Sequence, residues 1–249
     1  MISIILAGGL GKRMNSSLPK VLHIINNKPM IFFVIQNAIR VGSKKILIVV
    51  GKYRDIIQHQ IEEYFPKNDI FEYIDQPQAL GTGHAIQCCM PYFTSNHIPK
   101  STNVLILSGD VPMLHHKTLS KLSLFNDSLL ITHSETPHGC GRIVFGNRTG
   151  TIKKIVEEKD CSTLEKEIKY INCGIYHASV DTLLRTIPHI QNKNASSEYY
   201  LTDFVEIALK SGIKIQYYEL PREDQYQVMN INTTEQLLEA NIAYSTHCI

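Results

Sequence analysis

The sequence of 249 residues lacks an excess of charge of either sign, since its formal net charge is only +2. A near-neutral chain gives no general reason to expect nucleic acid or a membrane surface as a partner, so any basic binding site must be local. A disordered composition is also absent, because 43% of the residues are hydrophobic and 19% are charged. We therefore expect a globular chain with a substantial core.

Paired cysteines and long apolar runs are missing as well. None of the six cysteines forms a CxxC pair, and the adjacent Cys88 and Cys89 are poorly spaced for a disulfide or a metal. The first apolar run, 2–7, is too short for a signal peptide or a membrane span. We predict reduced thiols, no membrane partner and a cytoplasmic location.

Buried strands and helices alternate through the first half of the chain. Apolar runs of strand length are separated by amphipathic stretches of helix length. The predicted strands cover 2–6, 45–50, 70–74, 103–110 and 129–133, and the predicted helices cover 29–42, 54–65, 83–90 and 115–125. This alternation is typical of a Rossmann-like, doubly wound α/β sheet that is mostly parallel.

The second half has a different pattern. A hairpin is predicted over 142–158, a strand over 167–179 and a weaker strand over 213–220. We expect these segments to extend the sheet or to cover it with antiparallel strands. A C-terminal helix is predicted over 233–245, with Thr233 or Asn232 as its N-cap.

A glycine-rich loop with clustered cations follows the first strand. Gly8, Gly9 and Gly11 allow the backbone to approach a ligand closely, and successive N–H groups there can bind an anion. Three cations follow: Lys12, Arg13 and Lys20. The loop is neither a Walker loop nor a GxGxxG motif. The alternative is an ordinary strand-to-helix turn with solvated cations, but the clustering favours phosphate binding.

Asp110 lies at the end of the fourth predicted strand, within SGDVP. Ligands of doubly wound sheets bind beyond the strand C-termini, where a carboxylate can hold Mg²⁺ together with phosphates. A strand-end aspartate can equally be a helix cap, so Asp110 by itself leaves both interpretations open.

Several motifs, taken together, resemble one family. They occur in its order: LAGGLGKRMNSSLPKVL at 6–22, QPQALGTGHA at 76–85, SGDVPML at 108–114, GRI at 141–143, IVEEKD at 155–160, INCGIY at 171–176 and EYYLTD at 198–203. Over nearly its whole length the chain resembles the uridyltransferase domain of bifunctional N-acetylglucosamine-1-phosphate uridyltransferases, within the sugar-nucleotide pyrophosphorylase group.

The resemblance implies a reaction and a division of the chain. UTP and N-acetylglucosamine 1-phosphate would give UDP-N-acetylglucosamine and pyrophosphate, by in-line attack assisted by Mg²⁺. One nucleotidyltransferase domain, 1–249, would hold a nucleotide-binding half at 1–135 and a sugar-binding half at 136–220. The implied partners are these two small molecules, and the chain is expected to be a monomer or a small homo-oligomer.

The resemblance also implies roles for individual residues. Arg13 would neutralise the leaving pyrophosphate, and Lys20 would hold the α-phosphate and the sugar phosphate. Implied nucleotide contacts are Leu6, Ala7, Gly8, Gly9, Gln76, Gly81 and Thr82. Implied sugar contacts are Gly141, Glu157, Asn172, Tyr199 and Thr202. The implied Mg²⁺ ligands are Asp110 and Asn232.

Some of these residues have simpler interpretations. Gln76 could cap a strand, Thr82 could be the N-cap of the helix at 83–90, and Glu157 belongs to an acidic run of the kind that is usually solvated. Asn232 could be only a helix cap, with Asn230 as the rival ligand.

Three departures from the family pattern bear on specificity and organisation. Ser108 stands where the family usually has Tyr, and Ala79 where Gln is common, so base and sugar preference are in doubt. The sequence ends at Ile249 without hexapeptide repeats, so we expect no acetyltransferase activity. A different sugar-phosphate nucleotidyltransferase and a non-catalytic sugar-nucleotide sensor are the rival hypotheses. A sensor would be expected to lose Arg13, Lys20 or Asp110.

Overall fold

The computed structural model describes residues 1–9, 11–66, 69–146 and 150–247, with only the backbone of Lys12. Eleven strands occur in this part of the chain: β1 (Ile2–Leu6), β2 (Ile24–Ile25), β3 (Lys28–Pro29), β4 (Lys45–Val50), β5 (Phe71–Asp75), β6 (Asn103–Ser108), β7 (Ser128–His133), β8 (Arg142–Phe145), β9 (Ile152–Val156), β10 (Tyr170–Ser179) and β11 (Gln216–Leu220). The helices are α1 (Met30–Arg40), α2 (Arg54–Tyr64), α3 (Thr82–Ser95), α4 (His116–Leu122), α5 (Thr163–Lys166), α6 (Val180–Thr186), α7 (Asp203–Lys210) and α8 (Thr234–His247).

The chain folds into two compact units, each assembled from separate stretches of sequence. Unit 1 comprises Met1–Ala79, Ile106–Ser120 and Glu223–Ile249. Unit 2 comprises Leu80–Leu105 and Lys121–Arg222. The predicted functional division near residue 135 stays a prediction.

Unit 1 contains the parallel strands. Strand β1 pairs with β4, and β4 with β5, both in parallel, and Ile2 lies opposite Lys45. Strand β4 shows no alternation of apolar and polar residues, because both of its faces are covered: Leu47 and Ile48, on opposite faces, are fully buried. A core cluster beside these strands joins α1 to the C-terminal segment through Phe33, Met113 and Ala240.

Helix α3 in unit 2 is longer than predicted. The prediction ended it at residue 90, before Pro91, yet the helix continues to Ser95 with Pro91 inside it. Proline costs one backbone hydrogen bond in a helix interior. Phe93, only 1% exposed, buries its ring in the following turn, and this burial favours continuation of the helix.

The strands of unit 2 are mixed in direction. Strand β10 pairs antiparallel with β7, and β8 pairs antiparallel with β9, as predicted for these segments. Strand β11 pairs with β7 in parallel and so extends the sheet, which is one of the two alternatives predicted for this segment. The weak alternation of this segment carried no information on direction. Residues 147–149 of the predicted hairpin turn lie outside the described residues.

No helix in the described ranges is long and apolar enough to cross a membrane. The five cysteines within those ranges are free thiols, and burial raises the pKa of Cys89 and Cys173.

Candidate active site

The glycine loop of unit 1 lies where two strands end. The N–H of Ala7 donates to Val49 O at 2.9 Å, and the N–H of Gly109 donates to Leu6 O at 3.0 Å. The second bond joins the end of β1 to the residue before Asp110. Segments far apart in sequence therefore meet at one edge of the parallel strands, as expected for a doubly wound sheet.

Gly11 has a left-handed backbone with φ of +59°. A Cβ at this position would lie 2.9 Å from Lys20 Cβ. Both the positive φ and the close approach therefore require glycine, and the turn holds the Lys20 backbone against the loop.

Lys20 is the centre of a polar cluster. Its ammonium pairs with Asp110 Oδ2 and donates to Asn232 Oδ1 at 3.0 Å. The Arg13 guanidinium donates to the same Asn232 oxygen at 2.8 Å. The Lys20 and Asp110 side chains are only 16% and 10% exposed, so water screens their interaction weakly. The structure thus brings together four residues that the resemblance assigned to catalysis and metal binding.

A small cavity of about 180 Å³ adjoins this cluster. It is lined by Gly9, Gly11, Arg13, Lys20 and Asn232. Pockets for whole small molecules usually measure about 300–1,000 Å³. The cavity is therefore suited to a phosphate group, with two cations on its wall.

The oxygens of Asp110 and Asn232 fit a hard cation. Both already contact one positive group, the Lys20 ammonium, so they converge on a shared position. One carboxylate and one amide oxygen, completed by water and phosphate oxygens, is a ligand set that Mg²⁺ accepts. In the described residues no group of three His, Cys, Asp or Glu side chains is close enough to hold a metal.

Asn232 is more than a helix cap. The N–H of Gln236 donates to Thr233 Oγ1 at 3.3 Å, so Thr233 caps α8. The Asn232 side chain is therefore free of the capping role, and it is this residue, rather than Asn230, that contacts Lys20.

Gln76 lies beside the glycine loop. It is 7% exposed, and its N–H donates to Val50 O at 2.7 Å. A Cβ at Gly8 would lie 2.9 Å from Gln76 Oε1. Two of the residues predicted to contact the nucleotide are thus neighbours, and Gly8 leaves room for the amide.

In unit 2 the predicted sugar contacts Glu157 and Thr202 are bonded to each other. The Thr202 hydroxyl donates to Glu157 Oε1 at 2.9 Å. Burial raises the pKa of the Glu157 carboxyl above its usual range; the bond from Thr202 opposes this shift, and the nearby charge of Asp203 adds to it. Glu157 is therefore no ordinary solvated member of its acidic run, because its carboxylate is partly desolvated.

Gly141 and Asn172 lie next to this carboxylate. A Cβ at Gly141 would be 3.6 Å from Glu157 Oε2 and 3.7 Å from Asn172 Cβ. The Asn172 amide donates to Tyr176 Oη at 2.7 Å and accepts from Gly174 N at 3.1 Å. Four predicted sugar contacts, Gly141, Glu157, Asn172 and Thr202, are thus clustered, and their role stays a prediction.

Gly81 and Thr82 are joined to the segment of Tyr199. A Cβ on Gly81, whose φ is +113°, would lie 2.6 Å from Tyr199 O. The N–H of Leu201 donates to Thr82 Oγ1 at 3.1 Å. The N-cap of α3 is Gly81, so the Thr82 side chain anchors the neighbouring segment instead of capping the helix.

Two further contacts were missed by sequence reasoning. The Ser108 hydroxyl donates to Asp110 Oδ1, although Ser108 stood out only as a departure from a family pattern. Arg142, 1% exposed, pairs with Glu158 at 2.6 Å beside Gly141. The contact between Ser108 and Asp110 could have been predicted, because the serine stands two residues before a strand-end aspartate. A single sequence contains no pattern that predicts the pair of Arg142 and Glu158.

Comparison with known proteins identifies the family of this chain. The sequence profile of the MobA-like NTP transferase domain matches residues 3–172. The chain is similar to a protein of Acanthamoeba polyphaga mimivirus named "Probable UDP-N-acetylglucosamine pyrophosphorylase", with 41% identity over 94% of this chain and 92% of that protein. It is also similar to the bifunctional protein GlmU of Clostridium botulinum, with 37% identity over 96% of this chain. The match covers 51% of GlmU, so the chain spans about half the length of this relative.

A solved structure has the same fold. A Bacillus anthracis protein provisionally assigned as a glucose-1-phosphate thymidylyltransferase, crystallised with sucrose, superposes with a TM-score of 0.73 over 98% of this chain and 95% of that one. Their sequence identity is 20%, so the likeness concerns the fold alone. It confirms the predicted mixed α/β fold class.

Proposed function

This chain belongs to the family of MobA-like NTP transferase domains, and we propose that it transfers a uridylyl group from UTP to N-acetylglucosamine 1-phosphate. The observation that carries the proposal is the convergence of Arg13, Lys20, Asp110 and Asn232 around a phosphate-sized cavity. The name of the mimivirus relative, which matches almost end to end, supports the choice of substrates.

The reaction needs no covalent enzyme intermediate. An oxygen of the sugar phosphate attacks the α-phosphorus of UTP in line, while the bond from that phosphorus to the pyrophosphate oxygen breaks. The enzyme's contribution is to position the two phosphates and to neutralise charge.

Arg13 and Lys20 supply positive charge at the two ends of this displacement. Arg13 stabilises the leaving pyrophosphate, since a guanidinium can bind two phosphate oxygens at once. Lys20 holds the α-phosphate and the sugar phosphate. The backbone from Leu6 to Gly9 approaches the base and the phosphates, and Gln76 reads the uracil edge.

Asp110 and Asn232 would hold Mg²⁺, the cofactor we propose. Bound there, the ion would neutralise phosphate oxygens. The Lys20 ammonium contacts both of these oxygens. Beside the ion, it would contact phosphate oxygens of the two substrates.

The unit 2 cluster would select the sugar. Glu157 and Asn172 offer acceptors and donors for the hydroxyl and acetamido groups, Gly141 offers its backbone, and Tyr199 and Thr202 complete the wall. Gly81 and Thr82 would contact the base and ribose.

Pyrophosphate release tests the substrate choice. The rate would be measured with Mg²⁺ for UTP, dTTP, CTP, ATP and GTP, each with N-acetylglucosamine, glucose and N-acetylgalactosamine 1-phosphate. We expect the fastest rate with UTP and N-acetylglucosamine 1-phosphate. A faster rate with another pair would show that the enzyme uses substrates other than those proposed. Ser108 and Ala79 would then be the first residues to substitute. No release with any pair would favour a sugar-nucleotide sensor.

A further inference from the structure

A second cavity in unit 1 lies away from the Lys20 cluster. It has a volume of about 340 Å³ and shares no lining residue with the cavity beside Lys20. Its walls are α1, with Phe33 and Arg40, residues of the segment 112–117, and the end of α8, with Tyr244 and His247. We call it the α1–α8 cavity. Its volume falls within the usual range for small-molecule pockets, about 300–1,000 Å³.

The permanently charged side chains that line the α1–α8 cavity are both cations. Arg40 and Lys117 are exposed at its wall, and neither has an ion-pair partner in the described ranges. None of the described lining residues is acidic. Burial lowers the pKa of His115, and the charge of Asp224, which lies behind the wall, opposes this shift. Two permanent cations therefore face this space with no acidic side chain on the described wall, an arrangement that attracts an anion.

The cavity walls are held in place by hydrogen bonds. The Asn37 amide donates to Leu114 O at 2.6 Å, which joins α1 to the segment 112–117. The N–H of His115 donates to Gln227 Oε1 at 3.1 Å, and the Thr118 hydroxyl donates to the same oxygen at 2.7 Å. A preformed cavity binds a ligand at a lower entropic cost than a surface that must first be ordered.

Aromatic rings form another part of the wall. Phe33 and Tyr244 contact each other with ring centroids 5.2 Å apart. His247 stacks on Tyr226 at 4.2 Å with an angle of 11° between the planes. Such surfaces bind a flat ring through offset or edge contacts. Solvated surface cations alone would need neither a cavity of this volume nor these rings.

We propose that the α1–α8 cavity is a second ligand site, for a phosphorylated small molecule that carries a flat ring, of the nucleotide class. Arg40 and Lys117 bind the phosphates, and the aromatic wall packs against the ring. The proposal goes beyond the transferase reaction, because no residue of this cavity has a role in that reaction.

Calorimetric titration with UDP tests the proposal. An Arg13→Ala/Lys20→Ala variant weakens binding beside the glycine loop, and we expect it to retain one UDP site. Adding Arg40→Ala and Lys117→Ala should lower the remaining affinity about tenfold or more, since each cation makes charge-assisted hydrogen bonds. The matched control adds Lys153→Ala and Lys214→Ala, which remove two exposed lysines from unit 2 and should leave the affinity unchanged.

Titrations with uridine and with pyrophosphate test the contacts of the ring and of the phosphates separately. Each compound should bind the Arg13→Ala/Lys20→Ala variant about tenfold more weakly than UDP, because each lacks one half of the contacts. Equal UDP affinity in the variant that lacks Arg40 and Lys117 and in the control that lacks Lys153 and Lys214 would overturn the proposed site. Loss of all UDP binding in the Arg13→Ala/Lys20→Ala variant would overturn it too. Pyrophosphate that bound as well as UDP would overturn the nucleotide class.

Discussion

The Ser108 hydroxyl donates a hydrogen bond to one carboxylate oxygen of Asp110, while the other oxygen pairs with Lys20. The two carboxylate oxygens therefore have different partners. The Ser108 hydroxyl fixes Oδ1, and Oδ2 contacts the Lys20 ammonium. Ser108 is therefore a positioning residue for Asp110.

Removing the Ser108 hydroxyl tests this relationship. In Ser108→Ala we expect the Mg²⁺ concentration for half-maximal rate to rise about tenfold, since residues that orient metal ligands typically change metal affinity by about 10–100-fold. Ser108→Thr keeps the hydroxyl and should restore most of the affinity. The measurement is the initial rate against Mg²⁺ concentration. An unchanged Mg²⁺ dependence in Ser108→Ala would contradict the positioning role.

Lys20 should be needed for turnover. Lys20→Ala removes the cation that we propose to lie between the two reacting phosphates, and we expect kcat to fall by about two orders of magnitude or more. Lys44→Ala, which removes an exposed lysine of the same unit, is the control. Steady-state kinetics and a thermal unfolding curve would be recorded for both. A kcat within about threefold of the control value would show that Lys20 is only a solvated loop charge.

Sequence reasoning located the parts of this cluster but not their contacts. The alternation of strands and helices predicted the end of β1, and it placed the end of β6 at 110 instead of Ser108. It therefore predicted that the glycine loop and Asp110 lie at strand ends. Asn232 follows Asp110 by more than a hundred residues, and only the resemblance joined them. The Ser108 contact depends on side-chain rotamers, which no periodicity encodes. The direction of β11 was left open for a related reason, because strand direction depends on the path of the chain between strands.

The α1–α8 cavity could not be predicted from the sequence either. Its walls come from three separate stretches of unit 1, and each stretch by itself has an ordinary amphipathic or polar pattern. Arg40 and Lys117 would be assigned to solvent from sequence alone. Their common position in the lining of one cavity is a property of the packed structure.

Glu157 predicts a pH dependence of sugar binding. Its pKa is raised by burial above the ordinary 4.5, so the carboxylate gains a proton at a higher pH than an exposed glutamate. As the pH falls through this raised pKa, the acceptor for sugar hydroxyls is lost, and KM for the sugar phosphate should rise. Glu157→Gln should have a high KM that does not vary with pH in this range.

The measurement is KM for each substrate as a function of pH. KM for UTP serves as the internal control and should be the same in Glu157→Gln and the wild type. Parallel pH dependence of the sugar KM in both proteins would show that another group titrates.

Gly81 should be intolerant of any side chain. A Cβ there would lie 2.6 Å from Tyr199 O on a backbone with φ of +113°. Gly212→Ala is the matched control, because Gly212 also has a positive φ, +75°, but no atom lies within 4 Å of its added Cβ. We expect Gly81→Ala to lower the free energy of unfolding by about 1–3 kcal/mol more than Gly212→Ala. The measurement is chemical denaturation of both variants. Equal losses of unfolding free energy in Gly81→Ala and Gly212→Ala would mean that Tyr199 moves aside freely.

The most direct test of the proposed function compares Asp110→Asn with the wild type. The initial rate of UDP-N-acetylglucosamine formation would be measured with UTP, N-acetylglucosamine 1-phosphate and Mg²⁺, with the exposed Asp69→Asn as control. The account predicts product in the wild type and the control, and a rate at least about a hundredfold lower in Asp110→Asn, whose amide cannot supply the metal with negative charge. Product formation by Asp110→Asn at the wild-type rate would contradict it.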